Sequence, residues 1–406
     1  MIVFLGLSHL SLSYAASLIN LNKKVVILDF DKEIKNYNLG KNKVFEPGLD
    51  KILNNKINYL KITSNFKILR SAKIIFLAKD IKTKNNNTII LKETADLLKK
   101  TSNISKNKLL VIMNQVPVGF TRKIKWKKNK IYHFVETLVF GNAIKRAINP
   151  ERIIVGKNSP NAIIDKEFKK ILKLYKCPII EMTFEESELT KGYINTYLAS
   201  QLATTNFLSE IASKYSARWS VIFSAISMDK RVGKLGYYNP GLGISGGNIE
   251  RDLKTLSTLK QKFKIKDNLP NFLLDSSKYY KNLILKVIKK YKVKKIGLLG
   301  LTYKDKTLSI KNSTQVDIIK NIKKQIIVHD YKYNKLINQK DIKQLKIKFK
   351  DLSSCLKLCD TIIIFHNLKI YKKIKFSNYS NIKNIIDPYG YIDYSKRKKN
   401  YFRINY

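Results

Sequence analysis

Between residues 183 and 215 apolar positions recur every three or four residues: Leu189, Tyr193, Tyr197, Leu198, Leu202, Phe207, Ile211 and Tyr215. That period predicts one long helix with a wide apolar face. Thr183 with Glu186 three residues on fits a capping box, and Glu185, Glu186 and Glu188 set negative charge where the helix dipole is positive. No Gly or Pro breaks the second half, so the helix would be about 45 to 50 Å long, enough to run from one domain to the next. Lys191 and Asn195 interrupt the apolar run at i,i+4 spacing and share one face. Taken alone, the pair reads as a solvated edge.

On either side of this helix, short apolar runs alternate with helix-like segments, the pattern of a doubly wound parallel sheet. Residues 1–5 suit a buried strand, 6–11 a turn of small residues, 12–21 a helix, and 25–28 a second strand ending at Asp29. This is the layout of a dinucleotide-binding unit, in which pyrophosphate meets the helix N-terminus and an acidic residue about 20 positions on holds the ribose. The G-x-G-x-x-G pattern reads Gly6-Leu7-Ser8-His9-Leu10-Ser11, so two of three glycines are serine. Ser8 puts a side chain where backbone would meet phosphate, and Ser11 thickens the strand–helix contact. An ordinary strand–turn–helix is the plain alternative; if the site is real, Asp29 favours NAD over NADP. Strands follow at 73–78, 109–114 and 153–155. A second α/β set has strands at 294–300, 325–329, 361–365 and 384–387, with a helix at 314–322.

Composition narrows the class. The 406 residues hold 79 Lys and Arg against 30 Asp and Glu, a net charge of +49. The excess is nearly all Lys, spread along the whole chain among Asn, Ile and Tyr. A nucleic-acid face would concentrate it, so no nucleic-acid partner is expected, although the field can draw in an anionic substrate. Three cysteines, Cys177, Cys355 and Cys359, cannot frame a disulfide scaffold, which points to a reducing, cytoplasmic setting. Cys355 and Cys359 are read as i,i+4 in a helix. The four His lie away from the Cys, so no metal site is expected. The apolar N-terminus is cut short of a membrane span by Lys23 and Lys24.

Six motifs in order then carry a resemblance over nearly the whole chain: FEPGL at 45–49, VPVGFTRKI at 116–124, ETLVFGNAIKRAINPERIIVG at 136–156, SELTKGYINTYLA at 187–199, RVGKLGYYNPGLGISGGNIERD at 231–252 and GLLGLTYKDKT at 297–307. The chain resembles the NAD-dependent nucleotide-sugar dehydrogenases, the group of UDP-glucose 6-dehydrogenase, GDP-mannose dehydrogenase and UDP-N-acetylmannosamine dehydrogenase. The resemblance implies an α/β fold of two doubly wound Rossmann-like domains joined by a long central helix and a helical dimerisation region. Residues 1–182 would be the NAD-binding domain, 183–288 the central helical dimerisation domain, and 289–406 the C-terminal nucleotide-sugar-binding domain. A homodimer acting in polysaccharide or surface-glycan synthesis is the implied setting.

Members of this family oxidise the sugar's primary alcohol to a carboxylate with two NAD. A Cys in a G-G-x-C-type loop captures the aldehyde as a thiohemiacetal, and water later hydrolyses a thioester. By position, Lys191 and Asn195 are the helix pair that stabilises oxyanion character, a task worth about 3 to 4 kcal/mol per donor. Glu136 is the carboxylate that assists water attack, and Asp252 the loop aspartate that orders base and water. Gly6, Ser8, Ser11, Asp29 and Lys311 are the implied cofactor positions. Arg231, Asn239, Gly243, Gly246 and Lys304 are the implied substrate positions, the glycines of 241–247 letting backbone N–H groups approach the sugar and diphosphate.

One position breaks the pattern. Asn248 stands where the family has its Cys, and an amide is not a nucleophile. Val139 and Phe140 replace Arg-Glu, Glu250 and Arg251 replace Pro-Lys, and Ser309 to Ser313 and Ile386 to Gly390 lack the family's arginines. Three readings stay open: a dehydrogenase that stops at a two-electron product, one that oxidises the aldehyde hydrate to the carboxylate, and a non-catalytic relative that binds a nucleotide sugar or pairs with an active paralogue. The bland readings are a surface carboxylate for Glu136, an N-cap for Asp252, a simple turn at Gly246 and Gly247, structural roles for His9 and His133, and a core position for Cys177.

Overall fold

The computed structural model describes residues 1–39, 44–83, 89–105, 107–310, 313–322, 324–337, 340–392 and 399–404. The chain divides into two compact units, Met1–Ile194 and Asn195–Tyr406.

The first unit is built on an eight-stranded sheet. Its strands in chain order are β1 (Ile2–Leu5), β2 (Val25–Leu28), β3 (Leu60–Thr63), β4 (Ile74–Leu77), β5 (Leu109–Ile112), β6 (Ile131–Phe134), β7 (Ile153–Lys157) and β8 (Ile179–Thr183). They lie in the order β8-β7-β6-β5-β4-β1-β2-β3. Sequences such as IVFL, VVIL, IIFL and LLVI are buried at every position, as parallel strands covered on both faces must be. Phe4, Leu12, Leu18, Phe76 and Phe168 pack on one face; Val3, Leu5, Ile75, Leu97 and Trp126 pack on the other. The sheet departs from all-parallel at β6, which runs antiparallel to β7.

Three strands of this sheet escaped the sequence pattern because each carries polar residues that only its neighbours explain. β3 is a half-buried edge, β6 contains buried His133, and Glu181 of β8 is neutralised by Lys157 of β7 at 2.8 Å. Helix α1 (His9–Asn20) starts three residues earlier than the apolar pattern suggests, because Ser8 and Ser11 form a capping box that pulls the turn into the helix.

The boundary between the units falls within α2 (Phe184–Lys214), which matches the predicted helix to within a residue at each end. Its capping box is present: Thr183 N donates to Glu186 Oε2 at 2.6 Å, and Glu186 N donates to Thr183 Oγ1 at 3.4 Å.

In the second unit, α3 (Trp219–Ile226), α4 (Gly247–Lys262) and α5 (Leu269–Lys290) follow. Ala199, Ile244, Leu253 and Leu273 join the later part of α2, the loop before α4, α4 and α5 in one small core. A six-stranded, wholly parallel sheet comes next, with β9 (Lys295–Leu299), β10 (Gln325–His329), β11 (Ile347–Phe349), β12 (Thr361–Ile364), β13 (Asn384–Ile386) and β14 (Asn400–Phe402) in the order β11-β10-β9-β12-β13-β14. The edge strands β11 and β14 are three residues long, too short for a period to show. Cys355 lies inside the helix Leu352–Leu358, but Cys359 is its capping residue in extended backbone, so only one of the two is helical.

The apolar face of α2 is not fully covered. Tyr197 is 76% exposed, Phe207 59% and Tyr215, directly after the helix, 83%, although their spacing sets them on its apolar face.

Candidate active site

Glu136 follows β6 by two residues. Its Oε2 accepts the Leu138 N–H at 2.9 Å, and its Oε1 lies 3.1 Å from Lys191 Nζ. The Lys191 and Glu136 side chains are 11% and 16% exposed, so Lys191 is not the solvated residue its polarity alone suggests. Gln115, Val116, His133, Glu136, Glu188 and Lys191 help line a recess of about 10 Å³, room for roughly one water.

Two carboxylates of α2 tie the 116–124 segment down. Glu188 accepts the Gly119 and Thr121 N–H groups at 2.5 and 2.8 Å, and Glu185 pairs in a fork with Arg122 at 2.6 and 2.8 Å. Burial pushes the Glu188 carboxyl up, and those amides pull it back down. His133 is buried with Nδ1 2.8 Å from Ser187 Oγ, and burial pushes it down to about 4. It is a neutral, structural histidine.

At the dinucleotide turn, Gly6 has φ +98°, and a Cβ there would lie 2.5 Å from Lys79 Cα. Ser11 N donates to Ser8 Oγ at 3.1 Å and Ser8 N to Ser11 Oγ at 2.9 Å, while Ser8 Oγ is turned onto the Ala78 carbonyl. Ser8 is therefore buried as a helix cap, where the sequence suggested a side chain standing in the phosphate's way. Asp29 has no exposed surface; its Oδ2 accepts Leu7 N and Lys79 Nζ, both at 2.7 Å, and its Oδ1 accepts Phe30 N at 2.8 Å.

Asp80, the residue after Lys79, is exposed. Desolvation raises its carboxyl above the usual carboxylate range, partly offset by His9 and Lys79. His9 Nε2 sits 2.9 Å from Glu46 Oε2, and Glu46 also accepts the Gly141 and Ala143 N–H groups. The FEPGL segment thus holds the 136–156 segment in place.

In the second unit, Asn195 Nδ2 donates to Asp252 Oδ2 at 2.5 Å, and Arg251 Nε to Asp252 Oδ1 at 3.3 Å. Asn195 and Asp252 are 8% and 3% exposed. Gly243 has φ +80°, and a Cβ would lie 2.6 Å from Ser277 Oγ, the atom that accepts the Ile244 N–H. Gly246 has φ +85° and precedes α4, whose second residue is the exposed Asn248. Asn239 and Arg231 are exposed, and Arg231 pairs only 2.6 Å away with Asp229 of its own loop. Lys304 stays accessible beside the Tyr303 ring, yet desolvation lowers its ammonium. Lys311 lies outside the described residues.

Family models match along the chain in three consecutive blocks: the NAD binding domain of the UDP-glucose/GDP-mannose dehydrogenase family over residues 1–179, its central domain over 185–276 and its UDP binding domain over 297–394. The chain belongs to this family. It is 27% identical to UDP-glucose 6-dehydrogenase of Campylobacter jejuni, over 86% of this chain and 90% of that protein. It is 28% identical to the Rickettsia felis enzyme of the same name, over 95% of this chain and 92% of that protein. In fold it is similar to a UDP-glucose dehydrogenase of Pyrobaculum islandicum, with TM-score 0.83, 19% identity and coverage of 100% and 97%. A UDP-D-ManNAc dehydrogenase of Pyrococcus horikoshii gives TM-score 0.81 at 20% identity, with coverage of 100% and 99%.

The family's NAD-binding domain is thus present: the left-handed Gly6 turn and the N-terminus of α1 have the form a pyrophosphate needs, while Asp29, directly after β2, is buried and taken up by Lys79. Among the described residues no His, Cys, Asp and Glu cluster is placed to hold a metal, and no helix is long and apolar enough to cross a membrane. Sequence reasoning missed Lys79, Asp80, Glu46 and Glu188. A signal was available for each: Lys79 and Asp80 are charged residues directly after the apolar run of β4, Glu46 lies in the FEPGL motif, and Glu188 lies in the 187–199 motif, where it was read only as a first-turn acid.

Proposed function

We propose that this chain oxidises the primary alcohol of a nucleotide-activated sugar in glycan synthesis. The support is the nearly buried Glu136–Lys191 pair beside a recess of about one water. NAD, when bound, supplies the hydride acceptor. Lys191 offers an ammonium to negative charge developing on the substrate oxygen. Asn195, whose amide is oriented by Asp252, offers a second donor. Glu136, fixed by the Leu138 N–H and charge-balanced by Lys191, takes the alcohol's hydroxyl proton in this reading, relayed by a water in the recess, and in the hydrate route takes a proton from the water that adds to the aldehyde.

Asn248, at the family's Cys position, forms no covalent adduct, so the reading favoured here ends at the two-electron carbonyl product. In the second reading the aldehyde takes up water, and the resulting hydrate is oxidised to the carboxylate. A non-catalytic nucleotide-sugar-binding paralogue is the third, motivated by the lost Cys and arginines. The substrate positions are Arg231, Asn239, Gly243, Gly246 and Lys304.

The chain works as a cytoplasmic homodimer in this reading. The exposed Tyr197, Phe207 and Tyr215 support a second copy against α2, and three free cysteines suit a reducing compartment. The deciding experiment is NADH formed per molecule of nucleotide sugar consumed, over UDP- and GDP-sugars, with the product weighed by mass spectrometry. One NADH with a carbonyl product supports the favoured reading, and two with a carboxylate support the hydrate route. Tight sugar binding without NADH overturns both in favour of the non-catalytic paralogue.

A further inference from the structure

The contact a dinucleotide ribose would make is already made by the chain itself, with matching polarity. A cofactor ribose presents hydroxyl donors to the acid at the end of β2. Here Lys79 Nζ donates to that acid, Asp29, at 2.7 Å and also lies 3.7 Å from Glu33. Asp29 has no surface left for a ribose, and Lys79 is itself only 6% exposed. A pyrophosphate presents an anion to the N-terminus of α1. Here Asp80 sets a carboxylate within electrostatic reach of His9, the first residue of that helix, while Ser8 and Ser11 take up each other's amides.

The backbone geometry makes this a built arrangement. Gly6 is pressed so closely to residue 79 that a Cβ would stand 2.5 Å from Lys79 Cα, and Ser8 Oγ bonds the carbonyl of residue 78. Residues 79 and 80 therefore leave β4 directly across the mouth of the turn.

We propose that Lys79 and Asp80 form an internal gate on the dinucleotide cleft, Lys79 occupying the ribose acid and Asp80 setting negative charge beside the first turn of α1, so that cofactor binds by displacing Lys79 and against the charge of Asp80. Lys79 and Asp80 are on this account affinity-determining residues for the dinucleotide. Asp80, being exposed, swings away at lower cost than Lys79, whose ion pair is buried. The inference rests on the dinucleotide chemistry of the proposed function but is tested by binding alone.

The test is titration of the full-length protein, its K79M variant and its D80N variant with NADH, followed by nicotinamide fluorescence, with ADP-ribose thermal shifts as a second readout. Freeing Asp29 in K79M is expected to tighten NADH by about tenfold or more, the size of one charged hydrogen bond. Removing the anion in D80N is expected to tighten it by about fivefold, the size of a charge at a helix end. D80N alters an open side chain and keeps the test decisive if K79M folds poorly. NADH affinities within twofold of the parent for D80N and any folded K79M overturn the gate. Thermal stabilisation by UDP-glucose is measured in parallel and reports on the sugar-binding reading separately, so loss of one does not mask loss of the other.

Discussion

Glu136 Oε1 and Lys191 Nζ lie 3.1 Å apart with both side chains nearly out of solvent, one from the segment after β6 and the other from α2. Each supplies the other's counter-charge in a place where neither is tolerated alone. E136Q removes the charge and keeps the shape. Its kcat for NADH formation should fall about a hundredfold, the usual worth of a positioned acid–base group. Little change in the substrate's KM would accompany a loss confined to the chemistry; an unchanged kcat would leave Glu136 a structural partner of Lys191.

Asn248 offers a direct test of the missing thiol. It is exposed as the second residue of α4, where the helix dipole favours a thiolate. N248C should react with iodoacetamide faster than Cys177, Cys355 and Cys359, and should raise NADH per sugar from one towards two. A stoichiometry of one in both proteins would show that more than the thiol has been lost.

Buried His133 sets a pH dependence of stability. Its folded pKa is lowered to about 4 by burial, against an ordinary value of 6.5. The unfolded chain therefore binds the extra proton between those values, so this stabilising contribution is complete above pH 6.5 and is lost as pH falls towards 4. At pH 5 the loss amounts to about 2 kcal/mol from this residue. Urea midpoints measured from pH 7 to pH 5 should fall, and H133Q should flatten the fall even if it lowers the midpoint overall.

The uncovered stripe of α2 predicts the assembly. F207D places a charge among Tyr197, Ile211 and Tyr215, of which Tyr215 is 83% exposed. Light scattering should give twice the 47.1 kDa chain mass for the parent and a mass near one chain for the variant. A parent that is already monomeric would mean that something other than a second copy covers the stripe.

What the sequence determined by itself is the part governed by local periodicity and motif order. The short apolar runs at β1, β2, β4, β5 and within β9, β10 and β12 specify buried parallel strands, because strands covered on both faces are apolar at successive positions. The capping box and helical period of 183–215 specify α2 to within a residue. The six motifs specify the family.

Tertiary structure alone decided what depends on residues distant in the chain. Lys191 and Asn195 read as solvated until Glu136, 55 residues before the one, and Asp252, 57 residues after the other, are seen to take their charge and hydrogen bonds. The serines at 8 and 11 read as obstacles until their hydroxyls are seen closing a helix cap and bonding Ala78. Asp29 reads as a ribose ligand until Lys79, 50 residues on, is found against it. A polar residue's environment is set by partners that fold brings to it, and spacing along the chain carries no record of them.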